Sequence, residues 1–134
     1  ASEGLSSKSQ SNEIKNKYYL NTAASLAYKA VSEMKNLTKK LSGKQETAYG
    51  LAGLGDLYVS SAGGRNSKMG YYLGQGHLFK DAKEKFMKEV TVEGADLAFA
   101  IGSKILKEFN KEEFPLLLSM VDCIFNNKKL EINW

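Results

Sequence analysis

TAASLAYKAVSEMKNLTKKL, residues 22–41, decides the fold class. Its apolar positions Ala23, Leu26/Ala27, Ala30/Val31, Met34, Leu37 and Leu41 recur every three or four residues, as one face of a helix requires. Lys29, Glu33, Lys35 and Lys40 fall off that stripe. Asn21 or Thr22 suits the N-cap, and Gly43 suits the C′ position that ends the helix. The same period returns downstream. It predicts a helix from about Glu93 to Phe109 with Leu97, Ala98, Ile101, Ile105 and Leu106 inward. A last helix is expected over 113–126, with Pro115 tolerated in its first turn. No period-two alternation and no internal repeat stands out, so the predicted class is all-α.

Between these helices the chain changes character. Residues 43–76 hold nine of the twelve glycines, too many for one long helix when each interior Gly costs about 1 kcal/mol relative to Ala. Short helices are expected around 46–50 and 54–61, a glycine turn at 62–64, and a helix over 66–74. Asp81-Ala-Lys-Glu84 is a capping-box pattern for a helix to about Lys88 that buries Ala82, Phe86 and Met87. Residues 1–17 are rich in Ser, Asn and Lys and are expected as a loosely ordered lead-in; Lys128 to Trp134 should form a short closing segment. The chain starts with Ala, so a piece cut from something longer is expected.

Size and composition bound the function. At 134 residues, 43% hydrophobic and 25% charged, the chain is one ordinary globular domain. No apolar run approaches the ~18–20 residues of a membrane span, and the start carries no signal-peptide pattern. Cys123 is the lone cysteine, which fits a cytoplasmic location. Its neighbours Leu118, Met120, Val121, Ile124 and Phe125 make a buried, inert thiol the plainer reading over a nucleophile. One histidine, His77, and no Cys or His cluster leave no structural metal expected. The net charge is +4, but most lysines have acidic neighbours, as in Lys83-Glu84-Lys85. No basic stripe interleaved with aromatics marks a nucleic-acid partner; a small phosphorylated ligand would account for a local cationic site equally well.

Asp56-Leu-Tyr-Val-Ser-Ser-Ala-Gly-Gly-Arg-Asn66 carries that local site. Arg65 is the only arginine among 19 basic residues, and its planar fork can grip a phosphate through two hydrogen bonds. Gly63 and Gly64 can adopt positive φ and let backbone N–H groups approach a ligand. Asn66 can cap the helix that follows, whose N-terminus itself attracts anions. Asp56 and Ser60 lie four residues apart, hence on one helix face. A carboxylate, hydroxyl, guanidinium and amide could converge on one pocket. The first would repel a phosphate and suits a cationic group or a substrate hydroxyl; the others suit the dianion. The plainer readings are a surface helix residue for Asp56 and a solvated cation for Arg65. Gly50-Leu-Ala-Gly53-Leu-Gly55 is not a dinucleotide fingerprint, because its G-x-x-G-x-G spacing is reversed and no strand precedes it. Close helix crossings are the plainer reading of Gly50 and Gly53.

Taken together, these motifs resemble the C-terminal, substrate-binding helical domain of NAD(P)-dependent glycerol-3-phosphate dehydrogenase. The resemblance runs from about Asn21 to Cys123. It is carried by Ser32-Glu33-Met34, Glu46-Thr47, Gly50-Leu-Ala-Gly-Leu-Gly-Asp-Leu57, Gly64-Arg65-Asn66, Leu73-Gly-Gln-Gly76, Val92-Glu93-Gly94 and Phe114-Pro115-Leu116. It implies a compact multihelical domain like that of 6-phosphogluconate dehydrogenase-like enzymes. The implied activity interconverts dihydroxyacetone phosphate and sn-glycerol 3-phosphate with NAD or NADP, feeding glycerophospholipid synthesis. By the same resemblance Asp56 is catalytic, ordering the reactive lysine and substrate hydroxyls. Ser60, usually Thr in the family, Arg65 and Asn66 bind substrate; Arg65 and Glu93 lie on the cofactor side. The family's Rossmann domain, which holds most of the cofactor, and its Gly-Ala-Leu/Val-Lys-Asn segment are missing from these residues, so the isolated chain is expected to be inactive. Oligomeric state stays open, a homodimer included. The helical domain of another two-domain hydroxyacid or sugar-phosphate dehydrogenase, or a non-enzymatic helical interaction module, are the alternatives.

Overall fold

The computed structural model describes residues 15–132, and all regular structure among them is helical. Helix α1 spans Lys15–Lys40, followed by a 3₁₀ turn at Gln45–Tyr49 and a single π-helical turn at Leu51–Gly55. The later helices are α2 (Asp56–Ala62), α3 (Arg65–Gly74), α4 (Phe79–Phe86), α5 (Glu93–Glu108) and α6 (Pro115–Phe125). The all-α expectation holds. Helix α1 starts seven residues earlier than Thr22, since no Gly or Pro interrupts the run from Lys15 to Leu41. The lead-in expected over 1–17 therefore lies outside the described residues up to position 14, and its last three residues are helical. No helix among the described residues is long and apolar enough to cross a membrane.

The end of α1 also departs from expectation. Ser42, at φ 61°, takes the left-handed position expected of Gly43. Ser42 N–H donates to Lys39 O at 2.9 Å and Gly43 N–H to Thr38 O at 2.8 Å, the paired bonds of a Schellman motif.

The core lies in the second half of the chain. Met69 and Leu73 of α3, Phe79 and Ala82 of α4, Met87, Val92, Ala95 and Ala98 of α5, Cys123 and Ile124 of α6 and Leu130 of the tail form one buried cluster. Through Leu130 the described part of the tail closes the core, as expected; residues 133–134 of that segment lie outside the described residues. Phe86 is only half-buried and stacks on Tyr72, ring centroids 4.4 Å apart, where full burial was expected. In α5 the buried line is Ala95, Ala98 and Gly102. Leu97 and Ile101, expected inward, are 59% and 42% exposed. Small side chains win that face because α6 approaches closely: a Cβ on Gly102 would sit 3.0 Å from the Phe125 ring.

Helix starts are fastened from a distance. Glu33, expected on the polar side of α1, is 6% exposed. Its carboxylate accepts the N–H groups of Leu116 and Leu117, both at 2.8 Å. Pro115 has no N–H to offer, so Glu33 satisfies the two donors of the first turn of α6 that need a partner. At α4, Asp81 is not the cap; the helix begins two residues earlier. Asn127 Oδ1, carried by the loop after α6, accepts Lys80 N–H at 2.9 Å. Gly53 is required by a local contact between consecutive turns, not a crossing of long helices, since a Cβ there would lie 2.3 Å from the Ala48 carbonyl oxygen. Gly50 has ordinary room and no such need.

Candidate functional site

Three of the expected site residues come together where α3 and α5 begin. Gly64, at φ 126°, turns the chain into α3 in a conformation that disfavours a side chain. Gly63 at φ 173° is simply extended, so the positive-φ expectation applies to one glycine of the pair. Arg65 is the first residue of α3 and Glu93 the first of α5. Arg65 Nη2 donates to Glu93 Oε1, and the two side chains are 57% and 52% exposed.

Asn66 takes part in the same junction and corrects another expectation. It does not cap its own helix. Its Oδ1 instead accepts Gly94 N–H at 3.1 Å, within the first turn of α5. A backbone N–H can only donate, so Oδ1 must face it and the two Nδ2 hydrogens point elsewhere. The guanidinium and this amide are donors, as an oxyanion requires.

Asp56 and Ser60 are not hydrogen-bonded into that group. They lie one turn apart on α2, both exposed, and neither bonds Arg65, Asn66 or Glu93. Among the described residues no hydrogen bond joins the Asp56 pair to the Arg65 group, and in sequence the Gly63–Gly64 turn lies between them. No residue of α2 is buried, and its Tyr58 and Val59 are 75% and 69% exposed. Leu51, just before it, is 88% exposed.

Beneath Asn66 and Gly94 runs an apolar cleft of about 220 Å³, lined by Met69, Leu97, Ile101, Leu117 and Met120 among others. A larger hollow of about 580 Å³ shares none of its residues and opens beside Lys111, Lys128, Lys129, Asp122 and Glu131. There the Asn126 amide and the Lys128 ammonium hold the Asp122 carboxyl below its ordinary range. Cys123 is buried, and burial followed by the nearby Asp122 charge pushes its thiol up to about 11, in keeping with an inert core residue.

Glu33 and Asn127 are what sequence reasoning missed. Polar residues at non-periodic positions gave no sign that their partners lie 83 and 47 residues away.

The family described as NAD-dependent glycerol-3-phosphate dehydrogenase C-terminus matches residues 13–133. The NADP(+)-dependent glycerol-3-phosphate dehydrogenase of Archaeoglobus fulgidus is 34% identical over 122 residues, which cover 87% of this chain and 35% of the relative. The glycerol-3-phosphate dehydrogenase [NAD(P)+] of Clostridium acetobutylicum is 35% identical over 109 residues, covering 80% of this chain and 32% of the relative. That of Chlamydia pneumoniae is 34% identical over 113, covering 83% and 33%. The chain spans about a third of the length of these relatives. No solved structure matches it. This chain belongs to the family of the NAD-dependent glycerol-3-phosphate dehydrogenase C-terminus.

Proposed function

We propose that this chain is the substrate-binding half of a cytoplasmic oxidoreductase that interconverts dihydroxyacetone phosphate and sn-glycerol 3-phosphate with NAD or NADP. One observation carries the reading: the chain's only arginine stands behind a positive-φ glycine at a helix start, beside an amide whose donor end meets no partner among the described residues. Arg65 and Asn66 take the phosphate of the substrate. Arg65 already holds a carboxylate, so the position suits an anion, whether substrate phosphate or cofactor pyrophosphate. When bound, the reduced nicotinamide supplies a hydride.

This chain's residues act on the substrate's position. Gripping a phosphate remote from the reacting carbon spends binding energy on orienting the carbonyl. Asp56 and Ser60 meet the hydroxyl end and the reactive lysine of the remaining part of the parent. Their helix offers Tyr58 and Val59 beside Leu51 as an apolar face for that part, the nucleotide-binding domain, to cover.

In the intact parent enzyme, Arg65→Ala is expected to lower kcat/KM by at least ~100-fold, the scale for losing a charge-stabilising donor. Steady-state kinetics showing only a few-fold loss would remove Arg65 from this role.

A further inference from the structure

We propose that Glu93 is a built-in competitor for the guanidinium of Arg65: it holds the fork in the free chain and yields it to a phosphorylated ligand. Glu93 thereby sets the phosphate affinity of the site. The inference rests on the reading of Arg65 as the phosphate clamp.

The geometry around the pair supports it. Residues 65 and 66 face residues 93 and 94 as two parallel contacts, Arg65 to Glu93 and Asn66 to Gly94. The second bond, at 3.1 Å, ties the starts of α3 and α5 and keeps the carboxylate within reach of the fork. Arg65 uses Nη2 for Glu93, which leaves donors on Nε and Nη1 for an incoming oxyanion. Both side chains are more than half exposed, and an exposed pair of this kind is weak enough for a dianion to displace. The two anions cannot share the fork comfortably, because a carboxylate in contact with the guanidinium would repel a phosphate arriving beside it. Displacement frees Glu93 at the first turn of α5, so phosphate binding and the availability of this carboxylate are linked. Glu93 is a positioning residue in this scheme; it acts through Arg65.

A single arginine makes the test direct, since its Nε–Hε resonance is unambiguous in a ¹⁵N-labelled sample of the 134-residue chain. That resonance is followed while glycerol 3-phosphate is added at constant ionic strength, with glycerol as the uncharged control. Glu93→Gln removes the competing charge and keeps the side-chain shape. Asp96→Asn removes a charge from the same first turn without touching Arg65. The expected result is a titration midpoint about fivefold lower in Glu93→Gln, the factor set by losing an exposed ion pair, and nearly unchanged in Asp96→Asn. Structural damage would raise a midpoint, not lower it. A Glu93→Gln midpoint equal to or above that of the unaltered chain overturns the inference while leaving the clamp intact. Equal effects of the two substitutions overturn it too, as a general charge effect. An arginine resonance that never moves in any of the three proteins removes the clamp, and the inference with it.

Discussion

Replacing Glu33 by Ala should cost this fold about 2–4 kcal/mol, because two backbone donors then lose their partner at once. The donors of the α6 start can be accounted for one by one. Phe114 N–H donates to Asn110 O at 3.1 Å, Pro115 has none, and Leu118 N–H donates to Phe114 O at 3.0 Å. Leu116 and Leu117 N–H remain, and both end on the Glu33 carboxylate at 2.8 Å. Each donor left unpaired in a mostly buried setting costs about 1–3 kcal/mol, and Leu116 and Leu117, only half-buried, recover part of that from water. The carboxylate also loses its favourable position at the positive end of α6. Glu33→Gln keeps one acceptor oxygen and should cost roughly half as much. Urea unfolding followed by far-UV circular dichroism measures both. With a slope of about 1.5 kcal/mol per molar, Glu33→Ala should lower the midpoint by about 1.3–2.7 M without changing the slope. A Glu33→Ala protein within about 0.5 kcal/mol of the original at unchanged slope would refute the donor accounting.

Ser42→Gly should stabilise the chain by about 0.5–1 kcal/mol, since Ser42 holds φ 61° where a Cβ is penalised; an unchanged or lower urea midpoint contradicts this. The Cys123 thiol, with its pKa raised by burial to about 11, should resist alkylation at pH 8 in the folded chain and react on unfolding. Because an unfolded thiol ionises near pH 8.5–9, this contribution to stability is whole below that pH and is lost as pH rises toward 11. A Cys123→Ser chain should therefore show a flatter stability profile across that window. Asn66→Asp keeps an acceptor for Gly94 N–H but has no donors and adds a negative charge beside Arg65. It should leave the urea midpoint near the original and abolish glycerol 3-phosphate binding, whereas Asn66→Ala should also cost about 0.5–1 kcal/mol of stability.

What the sequence made legible follows from how local each signal is. Helices α3, α5 and α6 were readable because apolar period and breaker residues act within a few turns. Arg65 was readable as chemistry because it stands alone against a lysine background, and Gly64 because it precedes a helix. The rotation of α5 was not readable. Leu97 and Ile101 are as apolar as any core residue, and only the close approach of α6 selects Ala98 and Gly102 for the buried line. Glu33 was misplaced for the same reason, since a carboxylate goes inside only when a distant partner satisfies it, and that partner is on another helix. Glu93 entered the site by family resemblance alone; its pairing with Arg65 depends on where two helices happen to start.

The misread helix starts share one cause. None of the helices from α2 onward has its N-cap side chain bonded to its own first turn. Three of them are capped from elsewhere instead: α4 by Asn127, α5 by Asn66 and α6 by Glu33. Short helices such as the eight-residue α4 have little stability alone, so such caps make each helix conditional on the packing of its neighbours. The Arg65–Glu93 and Asn66–Gly94 contacts belong to this fastening scheme as much as to a ligand site. Asn66 holds α5 with its oxygen, and under the proposed function its nitrogen serves the substrate phosphate, so one side chain would serve fold and function through opposite ends. A contact built on the junction of two helix starts gains rigidity from the fold without needing burial, which is how Arg65 can stay half-exposed and still meet Glu93.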